Sequence, residues 1–258
     1  MIDSHCHLDG KDYRGRLDQI VSSAQTEGVH TIVNIGADLP SSIRSIELAK
    51  QFPCIFATVG VHPHDAKTYS SELEEKLQKL LAYEKVVAIG EIGLDFFRDL
   101  SPRNVQREIF RRQLEMAADQ KFPVVIHTRD AFRDTINIIK EYSSKLVGGI
   151  FHCFLGSVDE AKEVIELGFY ISIGGIVTFP KSVMTEIAVA IPLEYILLET
   201  DSPYLAPVPY RGKINQPAYI KYVKDEVAQL RNIPVEEVEK ITDRSCRKAY
   251  RLEDPLGG

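Results

Sequence analysis

Residues 1–9 read MIDSHCHLD, and the order of apolar and ligand-type side chains in this stretch sets the pattern for the whole chain. Met1–Ser4 predicts a first β-strand, with His5, Cys6 and His7 at its end. Because side chains alternate between the two faces of a strand, His5 and His7 point the same way, about 7 Å apart along the strand. Two imidazoles on one face can bind one metal ion, whereas Cys6 faces away and is expected to pack as a small apolar residue.

Apolar, β-branched runs recur along the chain and alternate with amphipathic segments. The runs predict eight strands: 1–4, 31–35, 55–61, 86–90, 123–126, 147–151, 169–173 and 195–198. The segments between and after them have apolar residues three and four apart and predict helices: 16–27, 41–51, 71–82, 105–120, 130–142, 157–167, 182–190, 216–230 and 235–252. Ser41 and Ser157 are expected to cap two of these helices.

Eight strand–helix units predict an α/β fold of the (β/α)8 TIM-barrel type. An open doubly wound sheet is the alternative, but no GxGxxG motif follows the first strand, which argues against its dinucleotide-binding form. Residues 1–258 are expected to form a single domain. The final stretch EDPLGG, residues 253–258, is expected to be a frayed tail.

Composition limits the possible partners. Of the 258 residues, 44% are hydrophobic and 26% are charged, and the net charge is −6. That charge argues against a protein that coats long duplex DNA, although a nuclease that binds a few nucleotides remains compatible with it. The four cysteines are far apart and form no CxxC pair, and no signal peptide or membrane-length apolar stretch is present. We therefore expect a cytoplasmic protein without membrane association.

Six ligand-type residues lie at or just after predicted strands: His5, His7, Glu91, His127, His152 and Asp201. In a barrel the carboxyl ends of all strands meet at one face, where active sites lie. The convergence of these residues predicts a metal centre more strongly than any one motif.

The donor types select the kind of metal centre. Four histidines and two carboxylates exceed the needs of one tetrahedral zinc, so two divalent ions are expected, with Mg, Mn or Zn as candidates. Glu91 is the candidate bridging carboxylate. Asp201 is expected to bind metal, to act as general base towards an activated water, or both.

Two acidic residues stand two positions before candidate ligands. Glu199 lies on the same strand face as Asp201, and it either orients a ligand histidine or forms a buried ion pair. Asp3 stands in the same relation to His5.

Basic residues near the predicted strand ends are candidate phosphate contacts. Arg129 follows His127 by two residues and is expected to bind phosphate; its alternative is an ion pair with Asp130 or Asp95. Arg211 and Lys213 follow the eighth strand, where barrels often bind phosphate, or they belong to a solvated basic turn.

Further candidates surround the predicted centre. His62 ends the third strand and is expected to contact substrate or metal, whereas His64 is expected to cap the loop or lie exposed. Tyr204 and Phe97 either stack on a nucleobase or pack within their loops. Cys153 beside His152 is expected to face away from the centre.

Several motifs together resemble the TatD family of metal-dependent deoxyribonucleases, across essentially the whole chain. They are DSHCHLD at 3–9, GEIGLD at 90–95, HTRDA at 127–131, HCFLGS at 152–157, ETDSPYLAP at 199–207 and RGKINQPAYI at 211–220.

The resemblance implies an amidohydrolase-like TIM barrel and a divalent-metal hydrolase that cleaves DNA phosphodiester bonds, with 3′-to-5′ exonuclease activity in some members. It implies the same six residues as metal ligands, and Glu91 stands where the wider superfamily often has a carboxylated lysine. The chain departs from the family at Ser245, where asparagine is common; we expect this to affect helix capping or packing only.

The main hypothesis is therefore a two-metal deoxyribonuclease that acts on DNA ends or short single strands, with no obligate protein partner evident. The alternative is a hydrolase that uses the same metals on a small-molecule amide, lactone or phosphoester. A third hypothesis, a scaffold that only binds partners, is disfavoured by the convergence of the six ligand-type residues.

Overall fold

The structure is a computed structural model that describes residues 1–252. The strands are β1 (Ile2–Cys6), β2 (Thr31–Asn34), β3 (Ile55–Val59), β4 (Val86–Asp95), β5 (Val124–Arg129), β6 (Gly149–Phe151), β7 (Tyr170–Ile173) and β8 (Ile196–Leu198). The helices are α1 (Leu17–Thr26), α2 (Leu39–Gln51), α3 (Ser71–Leu80), α4 (Arg103–Gln120), α5 (Phe132–Tyr142), α6 (Val158–Glu166), α7 (Val183–Ala190), α8 (Ile220–Arg231) and α9 (Val235–Tyr250).

The strands follow one another in the sheet in chain order, from β1 to β8. This order is that of a (β/α)8 barrel, whereas a doubly wound sheet reverses its order at a switch point. The predicted fold class is confirmed, and each predicted strand is found at its expected place. The main correction is β4, which continues past Gly90 to Asp95 and so contains Glu91 instead of ending before it.

The chain forms two compact units. The first comprises residues 1–34 and 152–252, in which β1 pairs in parallel with β2, and β7 with β8. An isolated bridge joins Cys6 to Ser202, so the segment after β8 lies alongside the end of β1. Every residue of β1, β2 and β8 is buried, as expected for parallel strands covered on both faces.

The second unit comprises residues 35–151, in which β3 to β6 pair in parallel in sequence order. The register of β4 against β5 sets Gly93 opposite His127 and Asp95 opposite Arg129. The candidate ligands Glu91 and His127 therefore lie on neighbouring strands of one unit.

Helix capping follows the sequence in one case and differs in another. Ser157 caps α6 and forms a capping box with Glu160, as predicted. The prediction for Ser41 was wrong: Asp38 caps α2, and Ser41 is the third helical residue, whose hydroxyl accepts from the Asp38 N–H. Sequence patterns place helix ends only to within a few residues.

Three further expectations concern the remainder of the chain. The predicted tail at 253–258 lies outside the described residues, and the single-domain assignment of 1–258 stays a prediction. Ser245, the departure from the family motif, is buried in α9 and donates to the Glu194 carbonyl at 2.8 Å, which is a packing role. Within residues 1–252, no helix combines the length and the apolar character needed to cross a membrane.

Candidate metal centre

The first unit brings together four of the predicted ligands, His5, His7, His152 and Asp201. The Nε2 atoms of His5 and His7 are 3.2 Å apart, and each lies 3.6 Å from Oδ1 of Asp201. The rings of His5 and His152 stack with 3.9 Å between centroids. Ligand atoms of His5, His152 and Asp201 all lie within 4.8 Å of one another, close enough to share one ion.

Glu199 contacts the first cluster at His152. Its side chain is fully buried, with Oε1 3.7 Å from Nδ1 of His152, and it accepts hydrogen bonds from the Cys153 N–H and the Ser172 hydroxyl. Burial would raise the pKa of Glu199, but His152, His5 and the Ser172 hydroxyl together hold the pKa below its ordinary value. Within residues 1–252 no lysine or arginine pairs with Glu199, which favours the ligand-orienting interpretation over a core ion pair.

The segment that carries Asp201 is fastened to β1. The Asp201 N–H donates to the His5 carbonyl at 2.9 Å, and the His7 N–H donates to the Ser202 carbonyl at 2.8 Å. Asp201 itself has φ of +52°, a left-handed conformation that is uncommon outside glycine. These bonds hold Asp201 in that conformation beside the two histidines.

Asp3 has a different role from the predicted one. Its carboxyl group accepts from the Thr200 N–H at 2.9 Å and contacts the Thr200 hydroxyl at 2.6 Å; it reaches His5 only at the backbone. Burial raises the pKa of Asp3 to about 8. The Thr200 carbonyl accepts in turn from Asn215 Nδ2 at 2.8 Å. Asp3 and Asn215 thus position the Asp201 segment, a role that the sequence analysis missed.

The second unit brings together His62, Glu91 and His127. Oε1 of Glu91 lies 2.8 Å from Nδ1 of His127 and 3.4 Å from Nε2 of His62, and ligand atoms of all three lie within 4.8 Å of one another. Burial lowers the pKa of His62 to about 4, which keeps its imidazole neutral and able to bind a metal. His62 therefore belongs with Glu91 and His127 as a candidate ligand.

Asp95 completes the second cluster. Its Oδ2 lies 3.1 Å from Nε2 of His127 and 2.9 Å from Nε2 of His64. Burial would raise the pKa of Asp95, but hydrogen bonds from His127, His64 and the Arg98 N–H hold the pKa well below its ordinary value. The expectation that His64 caps a loop or lies exposed was wrong, since it is partly buried against Asp95.

Close backbone approach fixes β4 against β5 at this point. Gly93 has φ of +138°, and a Cβ there would lie 2.0 Å from the His127 carbonyl oxygen. Glycine alone fits this position. The alternation of β4 then puts Glu91 and Asp95 on the same face, on either side of the His127 ring.

The candidate phosphate contacts are exposed at the surface. Arg129 lies over the Phe97 ring, with Cζ 3.8 Å from its centroid, and within the described chain it forms no ion pair with Asp95 or Asp130. In the first unit, Arg211 Cζ lies 4.4 Å from the Phe179 centroid and Lys213 Nζ 5.7 Å from that of Tyr210. These cations are available to a ligand.

Both clusters offer donors that fit divalent metal ions. Neutral imidazole nitrogen with carboxylate oxygen suits Zn, Mn, Fe or Co, and added water suits Mg. Cys6 contributes nothing to either cluster: it is buried, with Sγ 3.7 Å from the Val33 carbonyl. Hydrolytic chemistry with bound metal follows naturally from such a donor set.

The whole chain matches a known family. Residues 2–251 match the family described as TatD related DNase. The uncharacterized metal-dependent hydrolase YabD of Bacillus subtilis is 41% identical over 257 residues, which cover 98% of this chain and 99% of that protein. A Klebsiella pneumoniae protein named 3′-5′ ssDNA/RNA exonuclease TatD is 34% identical over 259 residues, covering 98% of each.

A solved structure agrees with the sequence matches. The crystal structure of YjjV, a TatD homolog from Escherichia coli K12, superimposes with a TM-score of 0.93 at 29% identity and covers 98% of each chain. The predicted family resemblance is thus confirmed, and it extends over nearly the full length of the chain. This chain belongs to the TatD family of metal-dependent hydrolases.

Proposed function

We propose that this hydrolase cleaves DNA phosphodiester bonds and removes nucleotides from the 3′ end of single strands. The observation that supports this most strongly is the pair of histidine–carboxylate clusters, because two-metal centres of this composition suit phosphate-ester hydrolysis. The name of the Klebsiella relative supports a nucleic-acid substrate and the 3′-to-5′ direction.

We assign His5, His7, Glu91, His127, His152 and Asp201 as the ligands of two divalent ions, Mg, Mn or Zn. The fold class supports this assignment, because active-site residues of (β/α)8 barrels lie at the carboxyl ends of the strands. When bound, such ions lower the pKa of water and neutralise charge on phosphate oxygens.

The side chains of the chain then have distinct roles. Asp201 accepts the proton of the attacking water, since its carboxylate is held beside two imidazoles and is still partly accessible. Glu91 would hold metal as the candidate bridging carboxylate. Arg129, Arg211 and Lys213 bind phosphates next to the scissile one, and His62 contacts the substrate or an ion.

The net charge of the protein bears on which form of DNA it acts on. A net charge of −6 disfavours tracking along duplex DNA, so the proposed partners are DNA ends and short single strands. A cytoplasmic location is proposed as well, supported by four cysteines that are all free thiols.

The test uses protein stripped with a chelator, reloaded with Mg, Mn or Zn, and incubated with single-stranded DNA or RNA labelled at either end. We expect metal-dependent shortening from the 3′ end, lost in both Glu91→Gln and Asp201→Asn while circular dichroism shows an intact fold. Cleavage retained by both variants would contradict the proposal.

The same assay separates the alternative. If no metal form cleaves nucleic acid although ions are bound, the small-molecule hydrolase becomes the better interpretation. Exposed Arg129, Arg211 and Lys213 favour an anionic substrate, so neutralising them should weaken turnover of a phosphodiester and leave that of an uncharged lactone unchanged.

A further inference from the structure

Phe97 is a large apolar side chain that the fold leaves in solvent. It is 58% exposed, whereas its neighbour Phe96 is 9% exposed and is covered by the guanidinium groups of Arg103 and Arg107. Packing therefore accounts for Phe96 and not for Phe97. The exposed ring lies in the segment that directly follows β4, the strand that carries the candidate ligand Glu91.

The loop that carries Phe97 is firmly held. The Phe97 and Arg98 N–H groups donate to Oδ1 of Asp95 at 3.0 and 2.7 Å. The buried side chain of Gln106 accepts from the Asp95 N–H at 2.9 Å and donates to the Ser101 carbonyl at 2.8 Å. A ligand that contacts the ring therefore pays little ordering entropy in this loop.

Asp95 also connects the ring to the second cluster. While Oδ1 fixes the backbone of Phe97, Oδ2 of the same carboxylate contacts His127 and His64. One carboxylate thus holds the backbone of Phe97 in a fixed position relative to the candidate ligand His127.

Arg129 covers part of the ring and brings a positive charge to it. Its Cζ lies 3.8 Å from the Phe97 centroid, a close cation–π contact, and Arg129 is itself exposed at the end of β5. The guanidinium occupies one face of the ring, so a base would stack on the opposite face, and the ring and the cation together match the two parts of a nucleotide, a base with a π face and a phosphate.

The first cluster has an aromatic ring placed in a similar way. Tyr204 is 60% exposed, and its ring centroid lies 6.1 Å from that of the candidate ligand His7. Its N–H donates to the Asp201 carbonyl at 2.9 Å, and its carbonyl accepts from Asn215 Nδ2 at 2.7 Å. Each cluster is thus accompanied by an exposed ring that is anchored beside it.

We propose that Phe97 is the stacking platform for an unpaired nucleobase of the substrate, while Arg129 contacts the adjoining phosphate. The inference rests on the proposed nuclease function and names the feature of the substrate that this site recognises. A base within a duplex has both faces covered by its neighbours, so the platform selects unpaired nucleotides. Because every base has a π face, the selection is independent of sequence.

The test compares Phe97→Ala and Phe97→Trp with the wild type, on a single-stranded oligonucleotide and on the same oligonucleotide made abasic near its 3′ end. Base–aromatic stacking predicts that Phe97→Ala raises KM about 5- to 150-fold on the intact strand with kcat unchanged. Phe97→Trp, which keeps a ring, should restore the wild-type KM. On the abasic strand the KM of the wild type should rise to that of Phe97→Ala.

Leu100 provides a matched control. It is 52% exposed in the same loop, so Leu100→Ala removes a similar apolar surface without removing a ring, and its KM should equal that of the wild type. An equal rise in KM in Leu100→Ala would indicate a general apolar contact and overturn the proposal.

The outcomes separate this inference from the function on which it rests. The stacking role is refuted if the wild type cleaves the oligonucleotide and Phe97→Ala has the same KM. It is also refuted if Phe97→Ala raises KM by the same factor on intact and abasic strands. In both cases the nuclease function stands. If the wild type neither binds nor cleaves any oligonucleotide, both are refuted, and Phe97 then belongs to a surface for another class of ligand.

Discussion

The Asp95 carboxylate anchors the loop after β4 and contacts His127 and His64, and Asp95→Asn would separate these two roles. The amide retains one oxygen that can accept from the Phe97 N–H, so the loop keeps its anchor. Its nitrogen, however, is only a donor and faces Nε2 of His127 and His64, where the carboxylate oxygen now accepts. The His127 ring must then present Nε2 as an acceptor and carry its proton on Nδ1, towards Glu91.

The size of the effect follows from the position of that proton. In the wild type, Nε2 of His127 lies 3.1 Å from Asp95 Oδ2 and Nδ1 lies 2.8 Å from Glu91 Oε1. When Nε2–H donates to Asp95, Nδ1 is the ring nitrogen that would bind a metal beside Glu91. A protonated Nδ1 cannot bind metal. Loss of a residue that orients a ligand histidine weakens metal affinity by about 10- to 100-fold, or about 1.4–2.7 kcal/mol.

Calorimetric titration of Mn²⁺ or Zn²⁺ into chelator-stripped protein measures this change. Asp99→Asn is the matched control, because Asp99 lies in the same loop, is exposed, and within residues 1–252 pairs only with Arg103, at 3.0 Å. We expect weaker binding in Asp95→Asn and unchanged binding in Asp99→Asn. Equal affinities in Asp95→Asn and wild type would refute the orienting role of Asp95.

Two further predictions concern stability. The Nζ of Lys85 donates to four backbone carbonyls around the end of α2, at 2.8–3.2 Å. Lys85→Met should therefore lower the free energy of unfolding, measured in urea, by about 1–3 kcal/mol. The control Lys145→Met changes an exposed lysine and should leave this free energy unchanged; an unchanged value for Lys85→Met would contradict the prediction. Burial would raise the pKa of Glu239, but Lys224 and the Met1 amino group hold it below its ordinary value. Protonation therefore favours the unfolded chain, and the stabilisation from Glu239 is present above about pH 4.5 and lost as pH falls. Thermal melts should show a smaller loss of stability between about pH 5 and 3 in Glu239→Gln than in the wild type, and parallel curves would exclude this contribution.

The fold was predictable because parallel strands buried on both faces leave apolar runs in the sequence. β8 shows this, since Ile196–Leu198 is apolar and entirely buried. The error at β4 has the same origin. Its second half carries Glu91 and Asp95 facing the site, so the apolar run stops at Gly90 while the strand continues.

The histidines of the two clusters could be singled out from the sequence because each lies at or just after an apolar run. Asp95, His64 and Asn215 were not, because their importance comes from hydrogen bonds to residues far away in the sequence. Asn215 reaches Thr200 across 15 positions, and His64 reaches Asp95 across 31. The one local signal was the spacing of Asp95 from Glu91, four residues along one strand and hence on the same face.

The proposed function requires each of the two clusters to hold one metal ion. The most direct test counts ions per chain by mass spectrometry in chelator-stripped, reloaded protein for the wild type, His152→Ala and His127→Ala. We expect two ions in the wild type and one in each variant, since His152 belongs to the first cluster and His127 to the second. A single ion in the wild type, or an unchanged count in both variants, would contradict it.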